Sequence, residues 1–478
     1  MGVGRAPRLV QHMSLRGAYV ALSHRWGSTG LPITTLANLE ERQNEIDPSE
    51  LSQVMLDAIS ITQGLGFCYI WIDALCIVQD SPEDWTAEAS KMSSVFNNAV
   101  VTIAAADAED HSQGIFRKRT ARCIRPFQMP YFEHPSVKPE DIQYVFPKIR
   151  LLGGRSRTKG TLDTRGWILQ EQLLSRRILY YNKGEVHWDC IASSACESSP
   201  VSISLLDETN PEEAWALKLL RRTIAGSLSN HELRKRICDA WLEVIKNYSA
   251  RVLTKPDDRL IALVGIIEPL KGILNEEPVA GMWRNQLWRQ LIWWTDTASP
   301  RLRESSGFTA PSWSWLSVQE RVYYHNSLPG DRPPHDALQH KFTDLESYYF
   351  NIDFAEARPL PDKAGLTGRL VVTAKSFSYH LTASDLMIPV RKRWDKAKSK
   401  LNTGRWMLDR STEVPLDVHC LVVAEDNVAK MLVCLVIVPD GDGEDTWKRI
   451  GLCHWDGLAW QIPSFAGATP ETRTFALV

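Results

Sequence analysis

Residues 66–106 read GFCYIWIDALCIVQDSPEDWTAEASKMSSVFNNAVVTIAAA, and this stretch decides the fold class. Its first part, 67–78, is rich in β-branched and aromatic residues, which is typical of a strand covered on both faces. Ser81 can cap a helix and Pro82 suits the first helical position, so a helix is expected to begin there. A second apolar run at 99–106 predicts a further central strand. The stretch therefore predicts strand, helix and strand in that order.

The residues before this stretch show the same alternation. The run AYVALS at 18–23 predicts a buried strand that opens into a loop at Gly27. From Leu51 onward, apolar residues recur at helical spacing until Gly64 and Gly66 end the helix. Alternation of this kind predicts an α/β fold, with a mostly parallel sheet flanked by helices. We expect three strands, at 18–23, 69–73 and 100–104, to lie side by side.

Downstream, the pattern divides the chain into further regions. We expect an α/β domain over 1–200, a mainly helical extension packed on it over 201–325, and a β-rich module over 346–478. The segments DDRLIALVGIIEPL and GMWRNQLWRQLIWW are the strongest helical candidates of the extension. The stretch 325–345 is rich in proline and turn formers and is predicted to be a linker.

Composition limits the classes of protein. A chain of 478 residues is longer than one hydrophobic core usually supports, and 44% hydrophobic with 23% charged residues is ordinary for a globular protein. The formal net charge of -2 gives no reason to expect a nucleic acid partner. No uncharged run approaches the length of a membrane span. The nine cysteines are scattered, which fits reduced thiols and a cytoplasmic location.

Polar residues follow two of the predicted strands. Asp73 and Cys76 come near the end of the second strand, while His24, Arg25 and Trp26 follow the first. Because the carboxyl ends of parallel strands meet at one edge of a sheet, these side chains are expected to converge. Arginine can bind a phosphate or carboxylate with two hydrogen bonds, and tryptophan can stack on a ring. The alternatives are a polar loop with a packed tryptophan, and an inert core thiol at Cys76.

A carboxylate lies on or beside the apolar stripe of the helix that begins near Pro82. Glu88 either forms a structural salt bridge, with Lys91 or an arginine from elsewhere, or is held at the cleft with Asp73 as a catalytic group. Arg165 is expected to pair with one of the two carboxylates. Trp167, a further candidate for the substrate site, is expected to pack on the sheet.

Several common motifs are absent from the sequence. It has no GxGxxG after a strand, no GxxxxGK[ST], no HExxH and no GxSxG, which argues against dinucleotide redox, P-loop, zincin and hydrolase chemistry. His187, Cys190 and Cys196 give an H-x2-C-x5-C spacing that is poor for zinc. We expect no metal site and no resident cofactor.

Three blocks of the sequence resemble a known family. YVALSHRWG at 19–27, the stretch at 66–106 and TRGWILQEQLLSRRILYY at 164–181 look like the signature blocks of the fungal heterokaryon incompatibility (HET) domain, in the same order. Later segments such as TKPDDRLIALVGI and APSWSWLSV also resemble those that follow this domain in long members. The resemblance covers the chain to about residue 320.

The resemblance implies a role in non-self recognition and programmed cell death. It also implies a flavodoxin-like domain similar to Toll/interleukin-1 receptor (TIR) domains, some of which hydrolyse NAD+ with a glutamate on a helix. By position, Glu88 is the nearest candidate for that glutamate, and the resemblance implies NAD+ or a related nucleotide as the small-molecule substrate. Two alternatives stay open: a non-catalytic death or regulatory module that works by self-assembly as a homo-oligomer, and a secondary-metabolism enzyme on the same scaffold.

Overall fold

The computed structural model describes most of the chain. The described residues are 6–11, 17–27, 30–117, 129–131, 143–145, 159–197, 211–226, 233–255, 258–295, 309–324, 345–346, 350–359, 366–381, 404–408, 415–426, 431–441, 446–456 and 471–478. The predicted linker at 325–345 lies outside them up to residue 344. The chain forms two compact units, Met1–Asn230 and His231–Val478.

The first unit is built on a mixed six-stranded sheet. Its strands are β1 (Tyr19–Ser23), β2 (Tyr69–Trp71), β3 (Val101–Ala104), β6 (Arg177–Tyr181), β7 (Val186–Cys190) and β8 (Ser194–Cys196), while β4 (Met129–Tyr131) and β5 (Gln143–Val145) pair separately. The sheet order is β2-β1-β3-β6-β7-β8. The first four strands run parallel, and β7 and β8 continue the sheet antiparallel. The prediction of three adjacent parallel strands is confirmed.

Helices cover both faces of this sheet. They are α1 (Leu39–Asn44), α2 (Gln53–Gly64), α3 (Asp73–Cys76), α4 (Pro82–Asn98), α5 (Gly166–Leu174) and α6 (Pro211–Ile224), with 3₁₀ turns at Pro48–Glu50 and Thr161–Thr164. Val20 and Leu22 pack with α2, whereas Ala21 packs with Met92 of α4 and Leu174 of α5. Burial on both faces explains why Val20, Ala21 and Leu22 in the middle of β1 are all apolar.

The second strand is shorter than the sequence predicts. Strand β2 ends at Trp71, and residues expected to extend it form the single-turn helix α3 instead. The carbonyl oxygen of Ile72 accepts hydrogen bonds from the backbone of Leu75 and Cys76, at 3.0 and 2.7 Å. The Cys76 sulfur in turn accepts the Ile72 N–H at 3.5 Å. These local bonds replace a strand ladder, so Asp73 begins a helical turn at the sheet edge.

Helix α4 begins where its sequence predicts. The Ser81 hydroxyl accepts the backbone N–H of Asp84 at 3.2 Å, and Pro82 occupies the first turn. The Asp84 carboxylate accepts the backbone N–H of Val78 at 2.8 Å, which ties the helix start to the preceding loop. Capping thus fixes the helix at the edge of the sheet where α3 also lies.

The second unit begins with a helical region. It contains α7 (Leu233–Ser249), α8 (Asp258–Leu274) and α9 (Leu287–Leu291), short strands β9 (Pro278–Val279), β10 (Met282–Trp283), β11 (Trp293–Thr295) and β12 (Val322–Tyr324), and 3₁₀ turns at Arg284–Gln286 and Trp315–Ser317. In the described part of the chain, no helix combines the length and apolar character needed to span a bilayer.

The segment GMWRNQLWRQLIWW is not the long helix that its periodicity predicts. Gly281 has φ +78, and the side chain of Gln290 bonds both the N–H and the carbonyl of Trp283, at 2.9 and 2.7 Å. Those bonds hold the backbone of Trp283 extended. Trp283, Trp293 and Trp294 are fully buried, so packing of the indoles outweighs helix propensity here.

The rest of the second unit is a β-rich module, as the sequence predicts. Its strands are β13 (Leu345–Glu346), β14 (Phe350–Pro359), β15 (Leu366–Leu381), β16 (Gly404–Leu408), β17 (Leu416–Asp426), β18 (Met431–Pro439), β19 (Thr446–Asp456) and β20 (Glu471–Leu477). Neighbour pairings run β15-β17-β18-β19-β20 and return to β15, which closes these five strands into a ring. Apolar side chains such as Val418, Val436 and Ile450 form a core cluster of this module.

Candidate functional site

The candidate site lies at the carboxyl edge of the parallel strands. Strand β1 has β2 on one side and β3 on the other, so the chain reverses its direction of winding between β1 and β3. Ligands of open α/β sheets bind in the crevice outside such a switch point. The loop after β1, helix α3 and the loop after β3 supply its side chains.

Trp26 and Asp73 are joined by a direct hydrogen bond. The indole Nε1 of Trp26 donates to Oδ2 of Asp73 at 2.7 Å, and the backbone N–H of Ala74 donates to Oδ1 at 2.8 Å. The Asp73 side chain keeps 24% of its surface exposed. Two neutral donors therefore orient a carboxylate that still reaches solvent.

His24 lies beside this carboxylate in the interior. Its side chain is fully buried, and its Nδ1 is 3.7 Å from Oδ1 of Asp73, too long for a hydrogen bond. Neither ring nitrogen makes a hydrogen bond within the described residues. Burial lowers the pKa of His24, Asp73 opposes this shift, and the charges of Arg165 and His111 add to it. The imidazole is therefore neutral at pH 7.

The third sequence block reaches the site through a close backbone approach. A Cβ added at Gly160 would lie 2.0 Å from the carbonyl oxygen of Ala106, so this position has no room for a side chain. The backbone N–H of Leu162 donates to the same oxygen at 3.2 Å. This contact brings Arg165, at the start of α5, close enough to lower the pKa of His24. Arg165 is partly buried, and its pairing with Asp73 or Glu88 stays a prediction.

The loops after β1 and β3 also meet at a glycine. Gly27 has φ +82, and a Cβ added there would lie 2.8 Å from the Cβ of Asp110. Only glycine adopts this conformation at low cost, and only glycine leaves room for Asp110. The loop after β1, residues 24–27, is thus held against the residues that follow β3.

Asp57 of α2 anchors the loop after β3. Its Oδ2 accepts the backbone N–H groups of Ile115 and Phe116, at 2.6 and 3.2 Å, and its Oδ1 accepts the Gln53 side chain at 2.7 Å. The same loop carries His111, whose backbone oxygen accepts the N–H of Val54 at 3.3 Å. Sequence reasoning missed His111 and Asp57. His111 follows a central strand as His24 does, so the same convergence argument would have included it.

The comparison with known families identifies this part of the chain. Residues 19–171 match the family model described as heterokaryon incompatibility protein (HET). The chain carries a HET domain. No curated protein and no solved structure gives a significant match. The matched residues include the whole Trp26–Asp73–His24 cluster and the first turns of α5, so the resemblance seen in the three sequence blocks is confirmed.

Within the HET domain, Glu88 forms the salt bridge that was one of its two expected roles. Its Oε1 lies 2.8 Å from Nζ of Lys91, and 21% of the Glu88 side chain is exposed. Because the Lys91 side chain is 60% exposed, this salt bridge lies on the solvent-facing side of α4. A catalytic role for Glu88 stays a prediction.

Cys76, at the end of α3, carries a thiol with a shifted pKa. Burial raises the pKa of Cys76 to about 11, and the charges of Asp73 and Glu88 add to the shift. The thiol is therefore protonated at neutral pH, which favours a packed thiol over a nucleophile.

Two further candidates occupy different surroundings. Arg25 is partly exposed in the loop after β1. Trp167 packs with Met92, Phe96 and Leu174, where α4 and α5 cover the sheet. The third sequence block, 164–181, was predicted to pack on the sheet, and Leu174 and Trp167 make such contacts.

Proposed function

We propose that this HET-domain protein acts in non-self recognition and programmed cell death by cleaving NAD+ or a related nucleotide. The proposed site is the crevice at the carboxyl ends of β1 and β3. One observation carries the proposal: a partly exposed carboxylate, Asp73, is fixed by Trp26 beside a neutral and fully buried imidazole, His24. Polar groups held in this way at a switch point are typical of ligand sites rather than of packing.

The chemistry follows from these groups. In hydrolysis, the bond between the ribose carbon and nicotinamide breaks, and its electron pair leaves with nicotinamide. A carboxylate stabilises the positive charge that develops on the ribose. Water then adds to the ribose carbon and gives up one proton, which the partly exposed Asp73 carboxylate accepts and passes to solvent. Arg25 and Arg165 supply cations suited to the phosphates.

Asp73 and Glu88 are both candidates for the stabilising carboxylate. The geometry favours Asp73, because its two hydrogen-bond donors among the described residues, the Trp26 indole and the Ala74 N–H, carry no positive charge. Glu88 has a positively charged partner at 2.8 Å in Lys91, which offsets its charge. Resemblance to TIR domains favours Glu88 instead, so both residues belong in the test.

The test is nicotinamide release from NAD+ by the purified full chain. We expect Asp73→Asn to lower the rate by at least ~100-fold, the usual scale for a positioned acid or base, with near-normal melting. Glu88→Gln is measured in parallel. Glu83→Gln is the matched control, because Glu83 is an exposed carboxylate on the same helix.

Two results decide against the proposal. Nicotinamide release no faster than that of heat-denatured protein excludes NAD+ cleavage. Full activity in both Asp73→Asn and Glu88→Gln excludes the proposed site. Measuring the mass in solution on the same samples tests the alternative of a module that works by self-assembly.

A further inference from the structure

Three side chains with metal-binding groups meet on the antiparallel edge of the first sheet. Glu185 precedes β7, His187 lies within β7, and Cys196 ends β8. His187 and Cys196 are directly paired across the two strands. Glu185 and His187 share one face of the chain, because side chains alternate along a strand. Their carboxylate oxygen, ring nitrogen and sulfur all lie within 4.8 Å of one another.

The spacing of these atoms suits a tetrahedral metal ion. The Nε2 of His187 and Oε1 of Glu185 are 3.6 Å apart, which is too long for a hydrogen bond. Two ligands bound at ~2.0–2.1 Å to a tetrahedral zinc ion lie roughly 3.3 Å apart, so small side-chain movements would bring both into coordination. The imidazole, carboxylate and thiolate are the ligand types that zinc prefers.

Burial supports coordination at this place. The side chains of His187 and Glu185 are 12% and 19% exposed, and Cys196 is buried. A divalent cation would bond all three groups at once, and its positive charge would offset the negative charges of the carboxylate and of the thiolate that forms on binding.

We propose that Glu185, His187 and Cys196 bind one zinc ion, with water in the fourth position. Binding transfers the Cys196 thiol proton to solvent and forms a zinc–sulfur bond. The ion links the turn before β7 to β8, so it stabilises the last strand of the sheet. This site is separate from the proposed nucleotide crevice, and its test does not depend on that activity.

The structure also explains why the sequence spacing argued against a metal. The motif H-x2-C-x5-C combines His187 with Cys190, yet these residues are three apart on one strand and face opposite sides of the sheet. The Cys190 sulfur accepts the backbone N–H of Ser193 at 3.3 Å. Glu185 takes the place that the motif gives to Cys190.

The experiment uses the full chain, stripped of metal with a chelator and then titrated with Zn²⁺ or Co²⁺. We expect one zinc per chain by elemental analysis. With Co²⁺ we expect a near-ultraviolet absorption band from thiolate-to-cobalt charge transfer. Cys196→Ser abolishes the band, and both Cys196→Ser and His187→Gln weaken zinc binding by at least ~10–100-fold, the loss seen even for outer-shell partners. Cys190→Ser, the other thiol of the same hairpin, is the matched control and keeps both signals.

Three outcomes overturn the proposal. They are less than one equivalent of zinc in the wild type, a cobalt band that survives in Cys196→Ser, and a band lost equally in Cys190→Ser. If circular dichroism shows that Cys196→Ser does not fold, His187→Gln and Glu185→Gln decide instead. Unchanged zinc affinity in both of these variants rejects the site.

Discussion

The Asp73 carboxylate receives the indole N–H of Trp26 at one oxygen and faces His24 with the other, so Trp26 and Asp73 hold two segments of the HET domain together. Trp26 belongs to the loop after β1, and Asp73 begins α3. The imidazole of His24 stays 3.7 Å away from the carboxylate rather than bonding to it. A movement of this loop that shortens the distance would form a His24–Asp73 hydrogen bond.

Trp26→Phe tests the indole–carboxylate bond. Phenylalanine keeps a ring against the core that Trp26 packs on but removes the N–H group. We expect the free energy of unfolding in urea to fall by about 1–2 kcal/mol, at the lower end for a bond to a charged group because Asp73 is partly exposed. In an Asp73→Asn background the same substitution should cost clearly less. An equal cost in both backgrounds would show that only packing was lost.

Acid sensitivity tests the buried imidazole. Burial lowers the pKa of His24 in the folded state. Below about pH 6.5, His24 therefore takes up a proton in the unfolded chain but stays neutral in the folded chain. The unfolded state then binds more protons, so the free energy of unfolding falls as pH drops from 6.5 toward the folded pKa. We expect His24→Gln to flatten the curve of melting temperature against pH between 7.5 and 5. Burial also lowers the pKa of His419, so some slope remains in the variant. A slope identical to that of the wild type contradicts the assignment.

Gly27→Ala tests the contact between the loops after β1 and β3. Alanine at φ +82 costs about 1 kcal/mol in backbone conformation, and its Cβ would also press on Asp110 at 2.8 Å. Gly66→Ala is the matched control, because Gly66 has φ +83 and open space around the added Cβ. We expect denaturant curves to show a loss at least ~1 kcal/mol larger for Gly27→Ala, as overpacking typically costs that much. Equal losses of free energy in the two variants would show that the loops shift to accommodate the added methyl group at no further cost.

Asp57→Asn tests the anchor of the loop after β3. The amide offers one acceptor oxygen and places N–H groups against the donors of Ile115 and Phe116. We expect the free energy of unfolding to fall by about 2–3 kcal/mol, because buried donors lose their acceptor. Hydrogen exchange should speed up at the amides of Ile115 and Phe116 first. Asp47→Asn, which alters an exposed carboxylate that accepts the N–H of Ser49, should leave those two amides unchanged.

The parallel strands were predictable because β1 and β3 are short apolar runs separated by helical periodicity. The same logic placed His24, Trp26 and Asp73 at one edge, since each follows a strand. It could not give the end of β2, because the bonds of Ile72 with Leu75 and Cys76 compete locally with a strand ladder. Nor could it join Glu185 to Cys196, because that meeting depends on the register of β7 and β8. Pairing across the sheet is information that residue spacing does not contain.

Strand β20 closes the ring of five strands in the second unit, although it follows the other four in the sequence. It pairs with β15 over 370–376 and with β19 over 446–447. During synthesis, β15 is complete at Leu381, and β20 begins 90 residues later (471 − 381 = 90) at Glu471. At 5–20 residues per second, a ribosome needs roughly 5–18 s to bridge that distance. For that interval the nascent module presents unpaired strand edges, which are templates for joining a neighbouring chain. Ribosomes crowded on one messenger would therefore favour intermolecular pairing, and slower initiation would protect the fold.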